Sequence, residues 1–410
     1  MAREPRSGTR VVLGVGGGIA AYKTCEVLRG LTESGHDVKV VPTAAALNFV
    51  GAATFEALSG NPVSTGVFSN VPEVEHVRTG QQADLVVVAP ATADLLAKAA
   101  NGLADDLLTN TLLTARCPVA FFPAMHTEMW EHPATQANVA TLRQRGAIVP
   151  DPDSGRLTGV DTGKGRLADP AEIIDLAQLL LANPDALPRD LTGMHVVVSA
   201  GGTREPLDPV RYLGNRSSGK QGYALARVAA ARGARVTLVA AHTVSLPTPA
   251  GVDLVSVSTA AQLRDAVIEV GTAADVVVMA AAVADFRPSE LAQYKIKKTD
   301  GEPAPVVLER NADVLAELVR HRRPEQIIVG FAAETGDGTG DVLHHARAKL
   351  RRKGSDLLVV NAVGEGQAFE VEDNAGWLLA ANGDEIQIPF GSKSQLAAAV
   401  WDAVASLHQP

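Results

Sequence analysis

Two aspartates, Asp94 and Asp285, close near-identical stretches: Ala83-Asp-Leu-Val-Val-Val-Ala-Pro-Ala-Thr-Ala-Asp94 and Ala274-Asp-Val-Val-Val-Met-Ala-Ala-Ala-Val-Ala-Asp285. In both, a Val-rich run gives way to small residues and then a carboxylate, so a ligand can approach the backbone beside a charge. Glycines cluster after two other apolar runs, in Gly14-Val-Gly-Gly-Gly18 and at Gly201-Gly202. Such turns let a phosphate reach backbone amides at a helix start, although a turn needed only for packing has the same spacing. The apolar run after the first cluster ends in Val41-Pro-Thr-Ala-Ala-Ala-Leu-Asn48. A dinucleotide enzyme places Asp or Glu there for the ribose. Thr43 and Asn48 instead offer a hydroxyl and an amide, suited to a neutral sugar chain or a phosphate. A mononucleotide fits better than a dinucleotide.

The elements that must hold these groups occur twice in one order. Val11-Val-Leu-Gly-Val-Gly-Gly-Gly18 leads through a helical stretch to Gly35-His-Asp-Val-Lys-Val-Val41, and His195-Val-Val-Val-Ser-Ala-Gly-Gly202 through another to Gly233-Ala-Arg-Val-Thr-Leu-Val239. Strand, glycine turn, helix, strand predicts two doubly wound, Rossmann-like α/β domains, each with a crevice at its strand ends. Ile173, Ile174, Leu176, Leu179 and Leu180 recur at helical spacing, and Asn183-Pro-Asp-Ala-Leu-Pro-Arg-Asp-Leu-Thr-Gly193 then breaks the pattern. The expected domains are therefore 1–188 and 189–410. Near the end, Asn382-Gly383 predicts a type I′ hairpin within 377–388. A closing amphipathic helix should bury Leu396, Val400, Val404 and Leu407.

Composition sets limits. The 410 residues suffice for two or three full cores, which must be aliphatic because aromatics make up only 4%. A net charge of −9 disfavours a broad nucleic-acid surface. Cys25 and Cys117 alone support neither a disulfide framework nor a Cys-rich zinc site. With no signal-like start and no membrane-spanning run, the expected setting is cytoplasmic.

Longer motifs carry a resemblance. Gly14-Val-Gly-Gly-Gly-Ile-Ala-Ala-Tyr-Lys23, Ala89-Pro-Ala-Thr-Ala-Asp94, Asn101-Gly-Leu-Ala-Asp-Asp-Leu-Leu108 and Pro123-Ala-Met-His-Thr-Glu-Met-Trp130 together resemble the homo-oligomeric flavin-containing cysteine decarboxylases. Ala200-Gly-Gly-Thr-Arg-Glu-Pro-Leu-Asp-Pro-Val-Arg-Tyr212, Asn215-Arg-Ser-Ser-Gly-Lys220, Ala281-Ala-Val-Ala-Asp285, Lys295-Ile-Lys-Lys298 and Gly330-Phe-Ala-Ala-Glu-Thr335 are similar to phosphopantothenate–cysteine ligases. Both halves in this order resemble the bifunctional coenzyme A biosynthesis family.

For the first half the resemblance implies a flavoprotein-like 4′-phosphopantothenoylcysteine decarboxylase using FMN. The flavin would oxidise the cysteine moiety to a thioaldehyde, CO₂ would leave, and the electrons would return to give 4′-phosphopantetheine. His76 matches the family's essential His, although a lone His there is more often structural. Gly17, Gly18, Thr43, Asn48, Ala91 and Thr92 are the expected flavin contacts, and Thr92 also suits a helix N-cap. Two positions depart from the pattern. His126 stands where the family has an Asn for the substrate carboxylate, and either side chain can donate one hydrogen bond. Ser154–Arg166 resembles the active-site flap but lacks the Cys proton donor, leaving Thr158, Asp161 and Lys164 as alternatives.

For the second half it implies ligation of L-cysteine to 4′-phosphopantothenate through an acyl-cytidylate made from CTP, which requires cations and Mg²⁺ around the phosphates. Lys295 would contact the triphosphate, with Lys297 and Lys298 beside it; the alternative is a solvated lysine run. Asp285, Met279, Ala280, Ala281 and Phe331 would meet the nucleoside. Ala312, Asp313, Val314 and Leu315 would offer amides at a helix start, and Lys349 and Lys353 further charge. Asn215 would serve the second step near Arg211, and Ser217, Ser218, Gly219 and Lys220 the pantothenate phosphate. The metal ligands are not legible. Trimeric decarboxylase and dimeric ligase relatives together imply a closed homo-oligomer such as a dodecamer. A ligase fused to a catalytically silent flavin-fold module is the alternative. A nicotinamide oxidoreductase is disfavoured by the missing ribose acid and the missing helical Tyr-x-x-x-Lys pair.

Overall fold

The computed structural model describes residues 8–64, 66, 75–297, 305–334, 341–362 and 373–408. Two compact units emerge, one of Met1–Pro188 with Pro249–Gly251, the other of Arg189–Thr248 with Val252–Pro410.

The first unit is built on four parallel strands in the order Asp37–Pro42, Arg10–Val15, Leu85–Ala91, Val119–Pro123. Every residue of Leu85–Ala91 is buried, as a Val-rich strand covered on both faces must be. Leu95, Leu96, Leu107, Leu108 and Trp130 pack in one cluster with Val86 and Val88. Strand order reverses between Arg10–Val15 and Leu85–Ala91, where a crevice opens at the carboxyl ends. There the Gly16 N–H donates to the Pro90 carbonyl at 3.0 Å, joining the glycine turn to the strand end.

The second unit carries an eight-stranded sheet. Val252–Ser256, Arg235–Ala240, His195–Ala200, Val276–Met279, Ile327–Glu334 and Leu357–Ala362 run parallel, followed by antiparallel Asp373–Ala380 and Glu385–Ser392. Its order reverses between His195–Ala200 and Val276–Met279. The expected doubly wound α/β architecture is present in both units.

Two local expectations need correction. The final hairpin turn is wider than type I′: the Gly383 N–H donates to the Ala380 carbonyl at 3.0 Å, so Ala381 and Asn382 are the central residues. Gly383 follows at φ 100, a conformation a side chain resists. The closing helix, Lys393–His408, buries Leu396, Val400 and Val404 but leaves Leu407 40% exposed. Trp401 is buried instead and its indole N–H donates to the Leu225 carbonyl at 3.0 Å. The same helix supplies Asp402 to the buried Arg232, whose other carboxylate partner is Asp190.

Candidate active sites

In the first unit a cavity of about 1340 Å³ lies at the reversal point. Gly17, Gly18, Thr43 and Thr92 form one side, and Met125, His126, Arg156, Leu157 and Thr158 another. Small-ligand pockets usually enclose about 300–1,000 Å³, so this one has room for a cofactor and a second molecule together. Thr92 caps the helix Ala93–Asn101, accepting from the Leu95 N–H at 3.3 Å, while still facing the cavity. The Thr43 hydroxyl accepts from the Ala46 N–H at 3.2 Å.

The other expected contacts lie elsewhere. Ala91 is buried in the strand and Asn48 is exposed in a short helical turn; neither lines the cavity. His76 also stands off it, on the helix Glu75–Gln82, with Nδ1 buried and without a hydrogen-bond partner among the described residues. Conversely, Lys23, Lys98 and Arg166 line the cavity without having been singled out. A lysine soon after a glycine turn was a usable signal for Lys23. Burial, with Arg166 nearby, pushes its ammonium below the usual lysine range.

The segment expected to form the flap is an antiparallel hairpin, Asp153–Arg156 with Thr162–Arg166. It is seated on the loop carrying His126 by a 2.8 Å hydrogen bond from the Met125 N–H to the Gly165 carbonyl. A Cβ on Gly165, at φ 144, would lie 2.2 Å from the Met125 carbonyl oxygen, so no larger residue allows this seating. Thr158 Oγ1 lies 2.9 Å from His126 Nε2. Lys164 is directed elsewhere, 2.5 Å from Asp151, which also binds Arg143 at 2.7 Å. Asp161 does not line the cavity.

Burial raises the cost of ionising Asp151, but hydrogen bonds from Lys164 and Arg143 outweigh it and hold the carboxyl below its usual range. Stabilisation from a depressed carboxylate is full above its unfolded pKa and lost as pH falls through the folded one. The melting-temperature gap between the wild type and Asp151→Asn should therefore shrink on acidification below about pH 4. A gap independent of pH in thermal melts would sink this.

In the second unit the crevice is assembled by backbone ties. Ser199 Oγ accepts from the Ala281 N–H at 3.1 Å, and Thr203 Oγ1 from the Ala284 N–H at 2.9 Å. The Asn311 N–H reaches the Asp285 carbonyl at 2.9 Å. Met279, Ala280, Ala281 and Asp285 are thereby joined to the Ala312–Leu315 segment. Gly330 pairs in register with Met279, which places Phe331 one step beyond. Asp313 caps the helix Val314–His321 through the Ala316 N–H at 3.1 Å and forms an ion pair with Lys353. Lys349 lies one turn earlier on the same helix, Val342–Lys353. Against the cost of burial, Lys353 and the Ala316 N–H hold Asp313 below the usual carboxylate range.

A second tether fixes the lysine run. The buried Asp208 carboxylate accepts from the N–H groups of Val210 (2.8 Å), Arg211 (2.7 Å) and Ile296 (3.1 Å). The Arg211 guanidinium in turn donates to the Ile296 carbonyl at 3.1 Å. Lys295 and Lys297 are exposed beside it; Lys298 lies outside the described residues. The Asn215 amide donates to the Val283 carbonyl at 3.1 Å. Ser217, Ser218 and Gly219 lead into the helix Lys220–Ala231. Glu205, within the matching motif, proves to be a buried cap that accepts from the Ala260 N–H at 2.9 Å. Among the described residues no three His, Cys, Asp or Glu gather as a metal site, and no helix is long and apolar enough to cross a membrane.

The family model "Flavoprotein" matches residues 2–181, and "DNA/pantothenate metabolism flavoprotein C-terminal domain" matches 191–407. The two matches define a flavoprotein module followed by a pantothenate-metabolism module. The chain is 66% identical over 402 residues to the "Coenzyme A biosynthesis bifunctional protein CoaBC" of Mycolicibacterium smegmatis, covering 97% of each. It is 65% identical over 411 residues to the Mycobacterium tuberculosis protein of that name, covering 99% of this chain and 98% of the other. The chain belongs to the family of coenzyme A biosynthesis bifunctional proteins, enzymes that join a decarboxylase to a ligase. A crystal structure of the C-terminal domain of such a CoaBC protein is similar at 34% identity and TM-score 0.45, covering 53% of this chain and 97% of that chain.

Proposed function

We propose that this enzyme ligates L-cysteine to 4′-phosphopantothenate at the expense of CTP and then decarboxylates the product to 4′-phosphopantetheine with bound FMN. The observation that carries the reading is the large cavity at the strand ends of the flavoprotein unit, walled by Gly17, Gly18, Thr43 and Thr92. These residues suit the flavin: two side-chain-free positions, two hydroxyls, and no acid at the end of strand Asp37–Pro42 for an adenosine ribose. FMN, when bound, takes up and later returns two electrons. The chain's own part is to hold the substrate carboxylate at His126, close the hairpin over it and exclude water. Ala91 and Asn48 stay in the proposal only through resemblance. His76, off this cavity, would act on a neighbouring subunit's site.

In the ligase, Lys295 would neutralise the triphosphate as the 4′-phosphopantothenate carboxylate attacks, and Asn215 would stabilise the acyl-cytidylate for attack by cysteine. Lys349 and Lys353 add charge, with Asp285, Met279–Ala281, Phe331 and Ala312–Leu315 around the nucleoside. Arg211 and Ser217–Lys220 would hold the substrate. Magnesium would travel with the nucleotide phosphates, consistent with its preference for few protein ligands. A cytoplasmic homo-oligomer with trimeric decarboxylase and dimeric ligase contacts, such as a dodecamer, completes the reading.

The purified protein should be yellow and release FMN on denaturation, and residues 1–188 alone should retain it. A folded, colourless fragment that takes up no added FMN would overturn the flavin assignment. Following pyrophosphate and CO₂ separately, in one assay with 4′-phosphopantothenate, cysteine and CTP, tests both activities. Pyrophosphate without CO₂ would favour a silent flavin module.

A further inference from the structure

We infer that Thr158 and His126 act as a pair to protonate the carbon that has lost CO₂, an assignment that rests on the decarboxylase reading above. The two side chains come from different elements, the hairpin turn and the loop after strand Val119–Pro123, yet meet at 2.9 Å on the cavity wall. A lone hydroxyl is too weak an acid for this step. One bonded to an imidazole can pass on the ring's proton.

Position favours the pair. The carbon that carries the carboxylate is the one left needing a proton, so a group that binds the carboxylate already stands beside it. Two competing proton carriers are engaged, Lys164 with Asp151 and Lys98 with Asp94 and Asp105, which leaves Lys23 on the cavity wall as the rival that the test must separate. Asp106 is committed to capping, accepting from the Thr109 N–H at 2.8 Å. Arg156 and Arg166 do not give up a proton in proteins.

The step balances. The enethiolate double bond takes the Thr158 hydroxyl proton as the Thr158 oxygen takes one from imidazolium Nε2. A C–H and an O–H bond form, an O–H and an N–H bond break, and His126 is left neutral until water reprotonates it. With FMN bound, the resulting thiocarbonyl would be reduced to the alkyl thiolate, which balances the two electrons removed at the outset.

The test is an anaerobic single turnover of the FMN-loaded full chain with 4′-phosphopantothenoylcysteine, reading CO₂, flavin absorbance and product mass separately. Thr158→Val should slow flavin reoxidation roughly a hundred-fold, far more than CO₂ release, as expected for a lost general acid. Its product should accumulate two hydrogens short of the thiol. Thr158→Ser, which keeps the hydroxyl, should reoxidise its flavin nearly as the wild type does. Equal slowing of both phases, unchanged reoxidation in the Val variant, or failure of the Ser variant would overturn the assignment. So would a block of reoxidation in Lys23→Gln beside normal behaviour in Thr158→Val. No CO₂ from the unmodified, flavin-loaded chain would remove the decarboxylase reading itself, and this assignment with it.

Discussion

Lys295→Gln should lower acyl-cytidylate formation by about a hundred-fold or more, the loss typical when a charged transition-state contact is removed. Release of CO₂ from supplied 4′-phosphopantothenoylcysteine should not change. The basis is the tether around Asp208, which binds the Ile296 N–H while Arg211 holds the Ile296 carbonyl. That arrangement orders the backbone on the Lys295 side without using its ammonium, leaving the charge to meet a phosphate. A lysine on a merely solvated run would tolerate Gln with little effect on either activity. Pyrophosphate release and CO₂ release, measured on one preparation, decide the matter. Parallel loss of both would mean a single shared site and defeat the two-site reading.

His126→Leu should cut kcat/KM for CO₂ release by roughly ten- to a hundred-fold, because a hydrogen bond to a charged group contributes about 1.5–3 kcal/mol. His126→Asn should recover most of the single-turnover CO₂ release, since an amide also donates one hydrogen bond to the substrate carboxylate. It cannot supply a proton, so flavin reoxidation should remain slow in that variant. The neighbouring geometry makes the comparison clean. His126 precedes the short helix Thr127–Glu131 and makes no side-chain cap there, so its ring carries no structural hydrogen bond to that helix. Wild-type CO₂ release in the Leu variant, with flavin content unchanged, would remove His126 from the site.

Much of both units was legible because the relevant physics is local or repeats at short range. A strand such as Leu85–Ala91 must be Val-rich to be buried on both faces, and Thr92 announces the helix it caps. Small residues at a strand end mark where a ligand can approach. The closing helix was legible in its period but not in its limits: Leu407 fits the apolar spacing, yet the helix outruns the surface it packs on and Trp401 takes the buried place. The last hairpin shows the same limit, since Asn-Gly is compatible with more than one turn and strand register chose between them.

The site was legible by residue type and not by direction. Thr158, Asp161 and Lys164 are equal candidates along the hairpin, and nothing within the hairpin separates them. Asp151 draws Lys164 aside, and His126, 32 positions before Thr158, meets its hydroxyl. Likewise Asp313 and Lys353 form their ion pair across 40 positions. By itself the sequence determined the two parallel cores, the crevices at their strand ends and the chemical types gathered there, because these follow from period, burial and turn chemistry. The tertiary structure alone decided which side chain faces the cavity and which is held by a neighbour, because those choices depend on partners that chain order keeps far apart.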